Sequence, residues 1–120
     1  MTERYSIESG ALVIRDSEKG SKTISRRFED CRVIKLLPLS DGCDCLVLLD
    51  YAGSNRPTFE NLLRVDRSGA IVWVAQLPDS NDAYVDVYSS ETGIEASTWS
   101  GFRVRIDITT GRMVERHFTK

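Results

Sequence analysis

The sequence predicts an all-β fold, an antiparallel meander of about ten short strands in a single domain spanning residues 1–120. Three observations predict it. Apolar and polar residues alternate with a period of two through much of the chain. Turn segments that contain glycine interrupt this alternation at short intervals. The length of 120 residues suits one domain, and 41% hydrophobic with 28% charged residues is typical of a globular protein.

The first half contains four predicted strands. The apolar run Ala11–Ile14 is followed by a polar turn, and Lys22–Phe28 then alternates. Cys31–Leu37 and Cys43–Asp50 are both rich in apolar residues and flank the turn signal Ser40–Gly42. Because a short turn with Asp-Gly favours a hairpin, we expect these last two segments to pair with each other.

A helix is the alternative for Arg26–Leu37. Phe28, Cys31 and Ile34 recur there at spacings of three, as on one face of a helix. The two adjacent β-branched residues in this segment and the proline that follows it at Pro38 favour a strand instead. We therefore predict a strand, and a short helix here would leave the fold class unchanged.

The second half alternates more clearly. Strands are predicted over Phe59–Val65, Ala70–Leu77, Tyr84–Tyr88, Ile94–Trp99, Phe102–Ile108 and Arg112–Phe118. Ala70–Leu77 is apolar at nearly every position, which predicts a strand covered on both faces with Trp73 in the core. Phe102–Ile108 has apolar residues at alternate positions, which predicts a strand with one buried face.

A faint internal repeat lies in this half. Asn61–Trp73 and Phe102–Val114 each contain a strand, an aspartate, a turn with glycine and a second strand. The aspartate carboxylate of such a turn accepts hydrogen bonds from nearby backbone N–H groups, and glycine adopts the positive φ that closes the turn.

The two copies resemble the blades of β-propellers of the pyrroloquinoline-quinone type. In that repeat a strand ends in Leu-Asp, a Thr-Gly turn follows, and the next strand carries a tryptophan. The matching residues are Asp66, Gly69 and Trp73 in the first copy and Asp107, Thr110 and Gly111 in the second, where Glu115 stands near the tryptophan position. The resemblance implies blade-like hairpins, and about ten strands are too few for a closed full propeller. It implies no cofactor.

A second resemblance is to small bacterial proteins of uncharacterised function. These proteins end in a Trp-Ser-Gly-Phe stretch followed by a Thr-Gly turn, here Trp99–Phe102 and Thr110-Gly111. The resemblance implies a bacterial source and no particular activity.

The charge is unevenly distributed along the chain. Residues 37–100 hold three basic residues against ten acidic ones, whereas the whole chain has a net charge of −2. Five of these acids lie between Asp79 and Glu95 with no base among them, and such a run creates a negative field that attracts a basic partner. A solvated surface of loops and outward strand faces is the alternative interpretation.

Enzyme motifs and metal sites find little support. The single histidine, His117, lies near the end of the chain, and no nucleophile elbow, phosphate loop or dinucleotide fingerprint is present. Cys31, Cys43 and Cys45 lack the paired spacing of a zinc site and are expected to pack as small apolar residues. The odd cysteine count without a signal peptide predicts the cytoplasm. We predict no catalytic residues, no metal and no cofactor.

The sequence also argues against a membrane or a nucleic acid as the partner. No apolar run approaches the length of a membrane span. Arg103 and Arg105 share a strand face near aromatic residues, but the sequence pI of about 5.4 favours cross-strand pairing with acids over nucleic-acid binding.

The predicted function is a non-catalytic protein-binding module of the bacterial cytoplasm. Its acidic segment and nearby aromatic residues would hold a basic protein partner, as a toxin-neutralising immunity protein does. The predicted binding residues are Asp82, Tyr84, Asp86, Tyr88, Glu91 and Trp99, with Tyr84 and Tyr88 expected on an outward face opposite Val85 and Val87. Simple sheet packing is the alternative for the aromatics. The alternative function is a small hydrolase or carbohydrate-binding protein that uses paired carboxylates.

Overall fold

A computed structural model describes residues 4–16, 22–28, 31–39, 44–50, 60–78, 82–91 and 93–118. Over these residues the protein is all-β, as the sequence predicted, with eleven strands in three antiparallel sheets that do not close into a barrel. None of the described residues belongs to a helix that could span a membrane.

Each sheet is a meander in which strands that follow one another in the chain lie side by side. The first sheet contains β1 (Tyr5–Glu8), β2 (Ala11–Asp16) and β3 (Lys22–Arg26). The second contains β4 (Val33–Pro38), β5 (Cys45–Leu49), β6 (Leu62–Val65) and β7 (Ile71–Val74). The third contains β8 (Tyr84–Ser90), β9 (Gly93–Thr98), β10 (Phe102–Ile106) and β11 (Met113–Phe118).

The second sheet lies between the other two. Every residue of β5 is buried, and its side chains divide by period two between two hydrophobic clusters. Cys45, Val47 and Leu49 join the cluster with the first sheet, whereas Leu46 and Leu48 join the cluster with the third. The opening strands of the sheets are neighbours, since β1 contacts β4 and β4 contacts β8.

The segment Arg26–Leu37 contains no helix among its described residues, but it is not one continuous strand, since β3 ends at Arg26 and the predicted strand is confirmed only over Val33–Leu37. Phe28 and Cys31 form an isolated antiparallel bridge, and β4 begins at Val33. β4 pairs antiparallel with β5, so the predicted hairpin is also confirmed. Its turn, with Cys43, lies outside the described residues.

The prediction that Ala70–Leu77 is covered on both faces is wrong. β7 is an edge strand of the second sheet, and Ile71, Val72 and Val74 are 43%, 49% and 40% exposed. Trp73 is buried in the cluster facing the third sheet, as predicted. The cluster facing the first sheet contains no residue of β7 among those described. The first sheet has three described strands, too few to cover the fourth strand of its neighbour.

The turns of the internal repeat have the geometry that the sequence predicted. Asp66 Oδ1 accepts hydrogen bonds from the backbone nitrogens of Ser68 at 2.9 Å and Ala70 at 3.1 Å, and Gly69 has φ +86°. In the second copy, Asp107 Oδ1 accepts one from Thr109 N at 2.8 Å, and Gly111 has φ +77°.

Replacing Asp66 by alanine should lower the free energy of unfolding by about 1 kcal/mol at neutral pH, because the turn loses these hydrogen bonds. The hydrogen bonds from Ser68 hold the pKa of the Asp66 carboxyl below its ordinary value of 3.8. A lowered folded-state pKa gives stability that is present above the unfolded-state pKa and lost as pH falls through the folded one. Urea unfolding from neutral pH into the range below 3.8 should therefore show the difference between wild type and D66A shrinking. A difference in unfolding free energy that stays constant with pH would contradict a role for the ionised carboxylate. E60A, which removes an exposed carboxylate elsewhere, is the control.

Candidate functional site

The six predicted binding residues all belong to the third sheet or to the residues that flank it. β8 carries Tyr84, Asp86 and Tyr88, and Asp82 precedes it. Glu91 lies in the turn between β8 and β9, and Trp99 lies in the turn between β9 and β10. Two of the six are buried, two are half-buried and two are exposed.

Tyr84 is not on the outward face, so that part of the prediction is wrong. Its side chain is 0% exposed and belongs to the cluster between the second and third sheets. Its hydroxyl donates a hydrogen bond to the carbonyl oxygen of Gln76, and burial raises the pKa of this phenol. The cause is a β-bulge between Tyr84 and Asp86, which breaks the period of two and turns both Tyr84 and Val87 inward.

Asp82 is also inside the protein, with 4% of its surface exposed. Its Oδ2 accepts a hydrogen bond from Ser100 Oγ at 2.5 Å, and its Oδ1 accepts from the nitrogens of Ala83 at 2.9 Å and Ser100 at 3.2 Å. The carboxylate therefore fixes the turn between β9 and β10 to the start of β8. This pairing was not predicted, because Ser100 is distant from Asp82 in the chain and nothing in the local sequence indicates it.

Trp99 lies on the turn that Asp82 holds. Its backbone nitrogen donates to the carbonyl oxygen of Ala83 at 2.9 Å, whereas its side chain is 63% exposed. Thr98 Oγ1 accepts a further hydrogen bond from Phe102 N at 3.0 Å across the same turn. The indole is thus displayed to solvent from a backbone that is fixed on both sides.

Asp86 and Tyr88 lie on the side of the third sheet that faces away from the second sheet. This outer face consists of two cross-strand rows, Tyr88–Glu95–Arg105–Glu115 and Asp86–Ser97–Arg103–His117. Both residues are half-buried. Asp86 Oδ1 accepts a hydrogen bond from Lys35 Nζ at 2.6 Å, which holds the pKa of the Asp86 carboxyl below its usual range.

The outer face carries charges of both signs. Arg103 and Arg105 share it, as the sequence predicted, and Arg105 pairs with Glu115 at 2.8 Å while lying opposite Glu95. His117 Nε2 lies 2.5 Å from Glu115 Oε1, and this contact, followed by the charge of Arg105, holds the pKa of Glu115 below its usual range. The expected cross-strand pairing with an acid is therefore present for Arg105, whereas Arg103 lies opposite Ser97 and His117. The β8 and β9 side holds Asp86, Tyr88, Glu91 and Glu95, which we call the acidic half.

The predicted residues do not form one compact patch. Glu91 is exposed at one end of β9 and Trp99 at the other. Since β9 has six residues, these ends are about 20 Å apart at a rise of about 3.3 Å per residue. Asp86 and Tyr88 lie between the two ends. These four residues therefore lie along an extended strip and do not surround a pocket.

A cleft of about 970 Å³ opens between the second and third sheets. Its lining is mixed, with the apolar residues Leu37, Leu39, Ile94 and Ile108 and the polar residues Arg64 and Arg105 among its members. Asp107 is the one acidic residue in the described part of the lining, and its carboxylate already accepts the hydrogen bond that closes its own turn. The described lining therefore offers no second carboxylate of the kind that glycoside hydrolysis needs.

The two described cysteines are free thiols. Cys45 is buried in the cluster between the first and second sheets, and burial raises the pKa of its thiol to about 12. A thiol of this kind is protonated at neutral pH and unreactive. No three His, Cys, Asp or Glu side chains within the described ranges are grouped so as to hold a metal ion.

Comparison with known proteins identifies a family for most of the chain. A family model described as a domain of unknown function, DUF7957, matches residues 33–118. The matched segment runs from the first residue of β4 to the last residue of β11, so it contains the whole second and third sheets. The first sheet precedes it. No curated protein matches the chain.

Proposed function

The chain belongs to the DUF7957 family, and we propose that it is a non-catalytic protein-binding module of the bacterial cytoplasm whose partner is a basic protein. The binding surface is the acidic half of the outer face together with Trp99. A toxin-neutralising immunity protein is one form that such a module takes.

The display of Trp99 is the observation that carries this proposal. Exposing a large aromatic side chain to water is unfavourable in free energy. Here the buried carboxylate of Asp82 and two backbone hydrogen bonds hold the turn that exposes Trp99. Tryptophan is among the residues most enriched at the energetic centres of protein interfaces. Because its turn is already ordered, binding through Trp99 loses little conformational entropy.

The acidic half supports a basic partner. Glu91 is exposed at the turn, and Glu95 lies beside Tyr88 on the outer face. Charges at the rim of an interface mainly raise the association rate and favour partners of opposite charge. Asp82 has no part in this attraction, because its carboxylate is buried with Ser100.

The hydrolase alternative has less support. It requires two carboxylates about 5–10 Å apart across a cleft. Among the described residues that line the cleft between the second and third sheets, Asp107 is the one acid, and neither the exposed Glu91 nor the half-buried Glu95 belongs to that lining.

The sheet arrangement supports a relation to β-propeller blades, which we propose as the origin of the fold. Blades are antiparallel meanders, typically four-stranded, that pack face to face around a central channel. The second and third sheets are consecutive four-stranded meanders that pack face to face with their first strands in contact. The repeated Asp-to-Gly turns add a second, local similarity.

The proposal is tested by capturing partners from the native organism with the immobilised protein and measuring their affinity. The double variant E91Q/E95Q should weaken binding of a captured basic protein about tenfold at low salt, and the difference should nearly disappear at high salt. W99A should weaken the same complex by at least about 2 kcal/mol at either salt concentration.

Matched controls separate location from total charge. E8Q/E60Q removes the same number of charges from exposed positions elsewhere and should leave the affinity unchanged. V114A removes an exposed apolar side chain of the same sheet and should also have no effect. A captured partner whose binding is equally sensitive to the control variants, or insensitive to W99A, refutes the proposed surface.

A further inference from the structure

An uncovered apolar strip lies on the second sheet, far from the acidic half. Ile71 and Val74 are paired with Val65 and Leu63, whose side chains lie in the cluster facing the first sheet. Directly opposed residues of an antiparallel pair share a face, so Ile71 and Val74 point toward the layer of the first sheet. There they remain about two-fifths exposed, and Val72 at the adjoining bulge is half exposed. β7 itself contains no charged residue.

The first sheet ends just short of this strip. An added Cβ at Gly69, in the turn before β7, would lie 3.7 Å from Arg26 Cδ and 3.9 Å from Ile24 Cγ2 of β3. Arg26 also donates a hydrogen bond to the carbonyl oxygen of Gly69. β3 therefore packs against the turn that precedes β7, beside Ile14 of β2. Among the described strands, β3 pairs with β2 on one side only. A strand added to its other edge would run beside the exposed strip.

The charge at this edge indicates what kind of strand fits. β3 and the residue after it contain three basic residues and no acidic one. Like charges on neighbouring strands repel, so two copies of the protein would pair poorly through this edge. An acidic strand would be attracted instead.

We propose that the edge of β3 and the exposed strip of β7 together accept one extended segment of a partner protein, with apolar side chains at alternate positions and acidic residues among the others. The segment would complete the first sheet as its fourth strand. Its backbone would pair with β3, and its apolar side chains would cover Ile71, Val72 and Val74, which is strand addition as peptide-binding domains use it. This surface is separate from the acidic half and takes a partner of opposite charge.

The test uses random ten-residue peptides displayed on phage, selected against the full chain. We expect enrichment of peptides with alternating apolar residues and an excess of Asp and Glu. For a synthesised enriched peptide, V74K should weaken binding at least about tenfold, because it places a charge in the strip. R27E should weaken it by a similar factor by reversing the charge at the end of β3.

Several outcomes would overturn the proposal. One is that no peptide is enriched above a selection carried out without the protein. Another is that the enriched peptides are basic or lack alternating apolar residues. A third is that V74K binds the synthesised peptide as tightly as wild type does. V114K, which places the same charge on an exposed valine of β11, is the matched control and should bind as wild type does. Sedimentation that shows a dimer lost in V74K would assign the strip to a second copy instead. Circular dichroism checks folding, and I71T replaces V74K if that variant unfolds. E91Q/E95Q should not affect the peptide, so failure here is distinguishable from failure of the proposed function.

Discussion

Replacing Gly111 by alanine should destabilise the protein by about 3 kcal/mol or more, the largest effect we expect from adding a single methyl group. Gly111 has φ +77°, where a Cβ is unfavourable. An added Cβ would also lie 2.6 Å from two ring atoms of Trp73. The ring has little freedom to move, because it is buried and its Nε1 donates a hydrogen bond to the Ile108 carbonyl oxygen at 2.8 Å. Urea unfolding followed by circular dichroism measures the loss.

Gly69 provides the matched control for this variant. Its φ of +86° is similar, but an added Cβ would meet its neighbours at 3.6 Å or more, which is ordinary contact. G69A should therefore show the backbone cost alone, about 1 kcal/mol. Equal losses in G69A and G111A would mean that the contact with Trp73 contributes nothing. In a double-mutant cycle, W73L should recover part of the loss in G111A, since the smaller side chain leaves room.

The fold class and the local turns could be predicted from the sequence because both depend on short-range patterns. The period of two in Phe102–Ile108 places Val104 and Ile106 in the core, as the structure confirms. The aspartate and glycine positions of the repeat determine turn geometry within a few residues. Such signals need no knowledge of which strands become neighbours.

The prediction of which side chains face solvent was wrong where a β-bulge interrupts the alternation of inward and outward residues. The bulge at Tyr84 depends on pairing with β9 and leaves no mark in the local sequence. Alternation counted from Asp86 and Tyr88 therefore placed Tyr84 outside, although it is fully buried. The acidity of Asp82 was misleading for a related reason, because a buried carboxylate with enough hydrogen-bond donors is stable inside a protein.

The burial of an edge strand depends on how far the neighbouring sheet extends over it. The sequence of the edge strand alone does not contain this information. Ile71–Val74 has the composition of a central strand, and β5 with a similar composition is one. The difference arises from the number of strands in the first sheet, which is a property of the tertiary structure.

Asn61 links the second and third sheets, and replacing it by leucine should lower the free energy of unfolding by about 3 kcal/mol or more. Its side chain is fully buried, and Nδ2 donates to the carbonyl oxygens of Leu49 at 2.8 Å and Tyr84 at 2.7 Å. Its Oδ1 accepts a hydrogen bond from Tyr84 N at 2.8 Å. Leucine has a similar volume but leaves three buried backbone groups without this partner, and each costs about 1–3 kcal/mol. Urea unfolding measures the loss, with fluorescence from buried Trp73 reporting on the core.

Asn61→Asp separates hydrogen bonding from packing, because it preserves the shape and the acceptor for Tyr84 N while removing the amide donors. An ionised carboxylate there would face two carbonyl oxygens, so its folded-state pKa should be raised. A raised folded-state pKa gives stability that is present at low pH and lost as pH rises through that value. We therefore expect N61D to be closer to wild type near pH 4 than at pH 7, whereas the deficit of N61L should change little between them. If N61D and N61L lost the same stability at both pH values, the link between the sheets would depend on packing around Asn61 and not on its three hydrogen bonds.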